Sequence, residues 1–321
     1  MLTEDSWCST HPAAGRPPRS LWPRLTSAVT APLRLYPAGT DANPFRHGRR
    51  FDRYRLQGRL GEGGFATVYS AYDDVERCRV AIKIPDARYV VNTQSLDDLQ
   101  RETDIMASLR HPAILPLKDA RVIDGHFLMV FPLGRETLAE RMMRRMSRST
   151  AMTMIHQMVA AVAHAHRHQV LHRDIKPENF ILFDDNEIRL TDFGLARIQL
   201  GRFDDSASGT LGYIAPEQAM GKPGYHSDVF ALGLILYRML SGELPEYPFQ
   251  SPLPGYNKLR RGVSRDFVAL IRKAIDPAPS KRFRTAAAME TAMKKIAAPL
   301  SAKGDLERFR VTVRRHQLRA A

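Results

Sequence analysis

The sequence predicts an α+β chain in two lobes, β-rich first and α-rich second, joined near residues 131–134. Three observations carry that expectation. From Tyr54 to Val130 the chain reads as short β-runs broken by one helical stretch. After Pro132 it reads as long helices broken by two short β-like pieces. At 321 residues it is long enough for each half to bury its own core.

The elements follow in order. Residues 1–50 hold seven Arg against three acids, with many Pro and Ser, and predict a disordered or targeting-like basic extension. The first lobe spans 54–131, with β-runs "YRLQGRL", "ATVYSAY", "RVAIKI" and "HFLMVF". Its one main helix is "SLDDLQRETDIMASL", which places Leu96, Leu99, Ile105, Met106 and Leu109 at mostly helical spacings. The second lobe spans 135–297. It opens on "RMMRRMSRS", read as a helix with an Arg-rich exposed face and with Met142, Met143 and Met146 buried or half-buried. The long helix "RSTAMTMIHQMVAAVAHAHRHQ" comes next, then β-pieces "FILF" and "EIRLT", then helices at 227–241, 264–275 and 285–297. The run "VFALGLILY", bounded by Asp228 and Arg238, is far short of the roughly 20 residues of a membrane span and reads as a buried helix. Residues 298–321 form a basic tail, with five Arg and one Lys against two acids.

The net charge of +14 lies largely in the two tails. No nucleic-acid motif accompanies them, so no specific nucleic acid is expected, and the tails are left as contacts for acidic partners. Two cysteines, Cys8 and Cys78, form neither a disulfide framework nor a metal cluster, which places the chain in a reducing, cytoplasmic compartment.

The residues that could carry chemistry fall in three places. "RLGEGGFATVY", with a β-run on either side, has glycines that would let backbone N–H groups approach a polyanion, though a plain glycine-rich hairpin turn would look the same. It is neither a P-loop, since no G-K-[ST] follows, nor a dinucleotide fingerprint, since a strand comes next. Lys83 of "VAIKI" would ordinarily reach from a strand to solvent; its rank changes if Glu102 of the following helix can meet it. "VLHRDIKPENFILFDDNEIRLTDFGLAR" spaces Asp174, Asn179 and Asp192 between apolar stretches, either as turn residues or as acids and amides for metal-assisted phosphoryl transfer.

The motifs "GEGGFATV", "AIK", "HRDIKPEN", "DFG", "GTLGYIAPE" and "DVFALG", in this order, make residues 54 to about 297 resemble the eukaryotic-type (Hanks-type) serine/threonine protein kinases. The resemblance implies a bilobal protein-kinase fold that transfers the γ-phosphoryl group of ATP, with Mg2+, to Ser/Thr hydroxyls of protein substrates, with autophosphorylation. It makes Asp174 the catalytic base, with Lys176 beside it, and Asn179 and Asp192 the magnesium ligands. It makes Lys83 the phosphate-holding lysine and Glu102 its ion-pair partner. Leu60 and Val68 would cover the adenine, and the backbone of Gly61, Glu62, Gly63, Gly64, Phe65 and Ala66, with Thr67 beyond, would cover the phosphates. Ala66 stands where a third glycine is usual. Pro132 has no N–H to donate, so Val130 is read as the residue at the back of the adenine site, Phe131 as the carbonyl acceptor and Leu133 as the amide donor.

Lys176 marks Ser/Thr specificity in this family, and Thr210 is expected to bond the base and Lys176. Glu217 is expected to pair with Arg282. Arg173, before the base, marks enzymes whose activation segment is ordered by an anion. Ser206 and Ser208 are the candidate acceptors, and Asp204 and Asp205 are a possible built-in substitute. Two other readings remain: a pseudokinase-like scaffold, which the retained Lys83, Asp174 and Asp192 oppose, and a small-molecule phosphotransferase, which the activation segment opposes.

Overall fold

Strand-forming β-branched and aromatic residues between Phe51 and Pro132 build one antiparallel six-stranded sheet, order β1-β2-β3-β4-β6-β5. Its strands are β1 (Arg50–Phe51), β2 (Tyr54–Glu62), β3 (Ala66–Asp73), β4 (Cys78–Pro85), β5 (Asp119–Ile123) and β6 (His126–Pro132). The computed structural model describes residues 45–63, 66–86, 99, 103–193 and 212–296, with the backbone alone at 211, 308 and 309. Within that range the chain forms two compact units. The first takes residues up to Thr103 and Pro116–Leu133; the second takes Asp104–Leu115 and Gly134 onward.

In the first unit the fold starts ahead of Tyr54, because Phe45 stacks on Phe51 at 5.8 Å and meets Tyr69 at 5.4 Å. The predicted helix is present at residue 99 and over 103–108 (α1). Thr103 sits on it, buried, its hydroxyl donating to the Leu99 carbonyl at 2.7 Å. The β3–β4 turn is pinned by Asp73, which accepts the N–H groups of Val75 and Glu76 and two bonds from Arg53.

The second unit is built on helices, with a small sheet β10-β9-β7. Its strands are β7 (Glu136–Thr137), β9 (Phe180–Leu182) and β10 (Ile188–Leu190); β8 (Met146–Ser147) pairs separately with β11 (Arg308–Phe309). The helices are α2 (Leu138–Met142), α3 (Arg148–Arg167), α4 (Pro216–Ala219), α5 (Tyr225–Ser241), α6 (Tyr256–Gly262), α7 (Arg265–Ala274) and α8 (Ala286–Lys295). α5 is apolar on every side, and as expected of such a helix it is buried along nearly its whole length. A Cβ on Gly233 would stand 2.8 Å from Ala274 and Ile275, so the glycine lets α5 approach the end of α7.

"RMMRRMSRS" is not one helix. Thr137 caps α2 through a capping box, α2 stops at Met142, and the chain turns into β8 before Ser147 caps α3. Met142 and Met146 are buried as expected, but Met143, at the turn, is 55% exposed.

Three histidines stack in this unit: His111 on His164 at 4.9 Å, and His164 on His168 at 4.2 Å. Burial, then the neighbouring His168, His111 and Arg167, hold His164 below its ordinary pKa. Burial also holds His111 down, with Glu290 opposing. A histidine lowered in the fold favours its neutral form there. Its stabilising contribution is complete above the unfolded value of about 6.5 and is lost as pH falls through the folded value. The expected result is a thermal midpoint that drops from pH 7 to pH 5.5, with a shallower drop in His164→Gln. Equal slopes in a pH series of melting curves would remove this stack as the cause.

Candidate active site

Period-two alternation divides the first unit's sheet into two faces. Val80, Ile82 and Ile84 of β4 and Leu128 and Val130 of β6 join Phe51, Tyr54, Leu56, Tyr69 and Ala71 in one apolar cluster. The residues between them point the other way. There Val68 stands across from Lys83, Lys83 across from Met129, and Ala81 across from Phe131. Lys83 is 7% exposed, so it does not reach for bulk water as a surface strand residue would. Leu60 is 53% exposed near the end of β2. The Gly63 N–H donates to the Ala66 carbonyl at 2.9 Å, which closes the glycine-rich turn; Gly64 and Phe65 lie outside the described residues. A Cβ on Gly61 would meet nothing within 4 Å, so packing does not require glycine there. The free space is of use to a bulky group that comes close to the backbone.

This pleat corrects one expectation. Val130 packs into the apolar cluster, on the face opposite Lys83, and cannot present its side chain beside that lysine. The residues of β6 on the lysine face are Met129 and Phe131. The argument from proline's missing N–H fixed a backbone register without asking which face the neighbouring side chains take. Leu133 remains the first residue after Pro132 with an amide to donate.

In the second unit the acids gather as a network around Asp174. Lys176 Nζ lies 2.9 Å from Asp174 Oδ2. Asn179 Nδ2 donates to the same oxygen at 3.0 Å and to the Asp174 carbonyl at 2.7 Å. Both amide hydrogens of Asn179 are thereby committed, which leaves its carbonyl oxygen as the end suited to a cation. A short 3₁₀ turn over Pro177–Asn179 leads into β9, and β10 returns to Thr191, whose N–H donates to the Asn179 carbonyl at 2.9 Å. Asp192 follows directly, with φ of +64°, a left-handed backbone that is costly for a residue with a Cβ. Asp174, Asn179 and the start of the DFG run are thus tied through one hairpin.

The sequence reading missed what holds this loop. Asp228, at the start of α5 and 1% exposed, accepts the backbone N–H groups of His172 and Arg173, each at 2.8 Å. Its oxygen also takes a bond from His166 Nε2 at 3.0 Å. The other nitrogen of His166 accepts the Ala286 N–H at 2.9 Å, so Nε2 is the end that carries the proton. Burial pushes the Asp228 carboxyl up, but the bond from His166 and the surrounding donors hold it below the usual carboxylate range. The two bonds to backbone support Arg173 at φ of +68°. His172 bonds the Thr191 carbonyl through Nε2 at 2.9 Å, and its ring meets Phe193 at 4.9 Å. "DVFALG" marked Asp228 only as the polar boundary of an apolar run; its partners lie more than fifty residues away, and nothing local announces them.

The Glu217–Arg282 pair is present and bidentate, at 2.7 and 3.0 Å, with Ser227 also donating to Glu217. Arg282 is fully buried, donates to the carbonyls of Asp276, His226 and Pro277, and lies 4.4 Å over the Phe230 ring. Arg282→Ala is expected to cost about 3–5 kcal/mol, because a buried carboxylate loses its partner. Chemical denaturation checks it, and a loss under about 1 kcal/mol would show the pair to be dispensable. Glu102, Asp204, Asp205, Ser206, Ser208 and Thr210 lie outside the described residues.

Among the described residues no three His, Cys, Asp or Glu side chains are grouped to hold a metal. A magnesium ion carried on phosphate oxygens and water needs only one or two protein oxygens, which Asn179 and Asp192 can offer.

Comparison with known proteins agrees with this arrangement. The chain is 30% identical over 270 residues to CBL-interacting serine/threonine-protein kinase 20 of Arabidopsis thaliana, covering 78% of this chain and 61% of that protein. It is 34% identical over 219 residues to the carbon catabolite-derepressing protein kinase of Candida tropicalis, covering 67% and 35%. It is 30% identical over 269 residues to serine/threonine-protein kinase PknH of Mycobacterium tuberculosis, covering 77% and 42%. The chain therefore spans less than two thirds of the length of these relatives. The crystal structure of the Mycobacterium tuberculosis PknI kinase domain shares its fold, with a TM-score of 0.60 and 24% identity over 78% of this chain and 99% of that one. Residues 54–293 match the model of the protein kinase domain, and the chain belongs to the eukaryotic-type (Hanks-type) protein kinase family.

Proposed function

We propose that this chain transfers the γ-phosphoryl group of Mg-ATP to serine and threonine hydroxyls of proteins, its own activation segment included. The observation that carries the reading is the shared contact at Asp174 Oδ2, which receives both Lys176 and Asn179. A carboxylate held between two donors is fixed in orientation and kept ionised, as a base that accepts or orients a hydroxyl proton must be. Lys176 also brings a positive charge to where negative charge develops on the transferred group. The serine/threonine kinases among the relatives support the acceptor class, as does Lys176 two residues after the base.

When bound, Mg-ATP supplies the phosphoryl group and its electrophilic phosphorus. Asn179 and Asp192 would hold the cation, and Lys83 the α- and β-phosphates. Val68, Leu60, Phe131 and Leu133 would contact the adenine, and the turn from Gly61 through Gly64, Phe65, Ala66 and Thr67 would cover the phosphates. Glu102 would hold Lys83 in position. Lys83→Met is expected to lower kcat/KM for ATP by on the order of 10²-fold or more while the fold is kept. Isothermal titration and steady-state rates check it; an unchanged kcat/KM would remove Lys83 from the site.

Regulation follows from Arg173. Its Nη1 is buried with no hydrogen-bond partner among the described residues, while its carbonyl accepts from Gln218 at 2.6 Å. A phosphate on Ser206 or Ser208 would supply that partner, and Asp204 and Asp205 are the alternative source of charge. Phosphosite mapping after incubation with Mg-ATP tests this, with the Ser206→Ala/Ser208→Ala double variant as the comparison. Full activity of that variant would leave the acidic pair as the source.

A further inference from the structure

The second unit carries a cavity of about 570 Å³ that none of the residues above lines. One wall is the arginine-rich turn between α2 and β8; the other is the β9–β10 hairpin, with Leu182 and Phe183 as its apolar floor. Three guanidinium groups border it. Arg135 is taken by Asp184 at 2.7 Å, and Arg144 is taken by Glu136. Arg141 differs. Its one hydrogen bond goes to the Arg145 carbonyl at 3.1 Å, and it has no carboxylate at ion-pairing distance among the described residues. Burial, then the adjacent Arg144, press its pKa down against a weaker pull from Glu136, as for a cation short of counter-charge. Glu140, the other acid on α2, is engaged at the cap, where it accepts from Thr137. Asp185 stands exposed on the rim, its place set by a left-handed turn at φ of +55°. Residues 135–148 hold five Arg against two Glu, so the surplus charge sits on the arginine-rich side.

We propose that this cavity is a docking subsite for an anionic side chain of a protein substrate, a glutamate cluster or a phosphorylated residue, with Arg141 as its central contact. The planar guanidinium matches either anion with paired hydrogen bonds. Leu182 and Phe183 accept the apolar stem that carries the anion. Such a subsite selects substrates by a segment separate from the acceptor hydroxyl. The substrate role rests on the phosphotransferase reading; the anion site does not.

The test separates the two. A fluorescein-labelled hexaglutamate peptide, a phosphoserine counterpart and a hexaglutamine control are titrated by anisotropy into the full chain carrying Asp174→Asn. Both anionic peptides are expected to bind at least about tenfold more tightly than the control, and Arg141→Gln with Arg144→Gln to abolish about that factor. Arg141→Lys should keep part of it, which guards against a merely unfolded variant, as does an unchanged melting curve. The relative affinities of the glutamate and phosphoserine peptides tell which anion the subsite prefers. In the active enzyme, Arg141→Gln is expected to raise KM for an acceptor peptide with a glutamate extension and to leave kcat unchanged. The same acceptor without the extension should show no change in KM.

Equal peptide affinity with and without Arg141 would overturn the proposal. So would displacement of the peptide by duplex DNA or by phosphatidylserine vesicles at lower concentration than by free glutamate peptide, which would make the surface a polyanion or membrane contact. Arginine-dependent peptide binding in a chain whose wild type transfers no phosphate would instead keep the subsite and remove the kinase reading.

Discussion

Asp174→Asn lowers the rate of phosphoryl transfer by on the order of 10²–10⁴-fold while nucleotide binding and the melting temperature stay near wild type. The expectation comes from the bonds at Oδ2. In the wild type that oxygen faces the Lys176 ammonium at 2.9 Å and the Asn179 amide at 3.0 Å, both donors. An amide in its place can present one oxygen to them and has no basic oxygen left for a hydroxyl proton. Asp174 is partly exposed, so the change leaves no buried group stranded and stability is spared. Rates measured with a basic protein acceptor, beside a thermal melt, check both halves. An unaltered rate would take the base role away from Asp174.

Asp228→Ala acts through stability. Three donors lose their acceptor at once: the N–H groups of His172 and Arg173 and the Nε2–H of His166, all converging on a side chain that is 1% exposed. Breaking such a buried charged centre costs about 3–5 kcal/mol, which for a domain of this size lowers the melting temperature by roughly 6–20 °C. Arg173 also loses support for its left-handed backbone, so the folded fraction should show a reduced kcat as well. Calorimetry and rates on the surviving folded protein check it. A melt within about 2 °C of wild type would show that the loop is held by other contacts.

How much of this was legible in the sequence differs from element to element. α3 and α5 could be read because their apolar residues are continuous or periodic over many turns, and strands β2, β3, β4 and β6 because β-branched and aromatic residues crowd them. β5 was missed: "DARVI" puts Asp119 and Arg121 on a strand that pairs on one side only, where charge is tolerated. α6 was missed because "YNKLRRG" has one fully buried leucine and no stripe. The arginine-rich turn was misread because Thr137 and Ser147, two separate caps, were not recognised as ending and restarting the helix. At the site, Asp174, Asn179 and Asp192 lie close in sequence, and their order gave them away. Asp228 and His166 could not be found that way, because their work is done across the fold. Val130 was placed on the wrong face because a proline argument about backbone donors was used where the pleat relative to Lys83 decides.

The most direct measurement is of the product. Wild-type chain is incubated with Mg-ATP and a protein acceptor, and the modified residues are identified by mass spectrometry. Phosphoserine and phosphothreonine on the acceptor, absent with Asp174→Asn, are the predicted result. ATP that binds but is never transferred by the wild type, or phosphate that appears equally with the Asp174→Asn chain, would contradict the account.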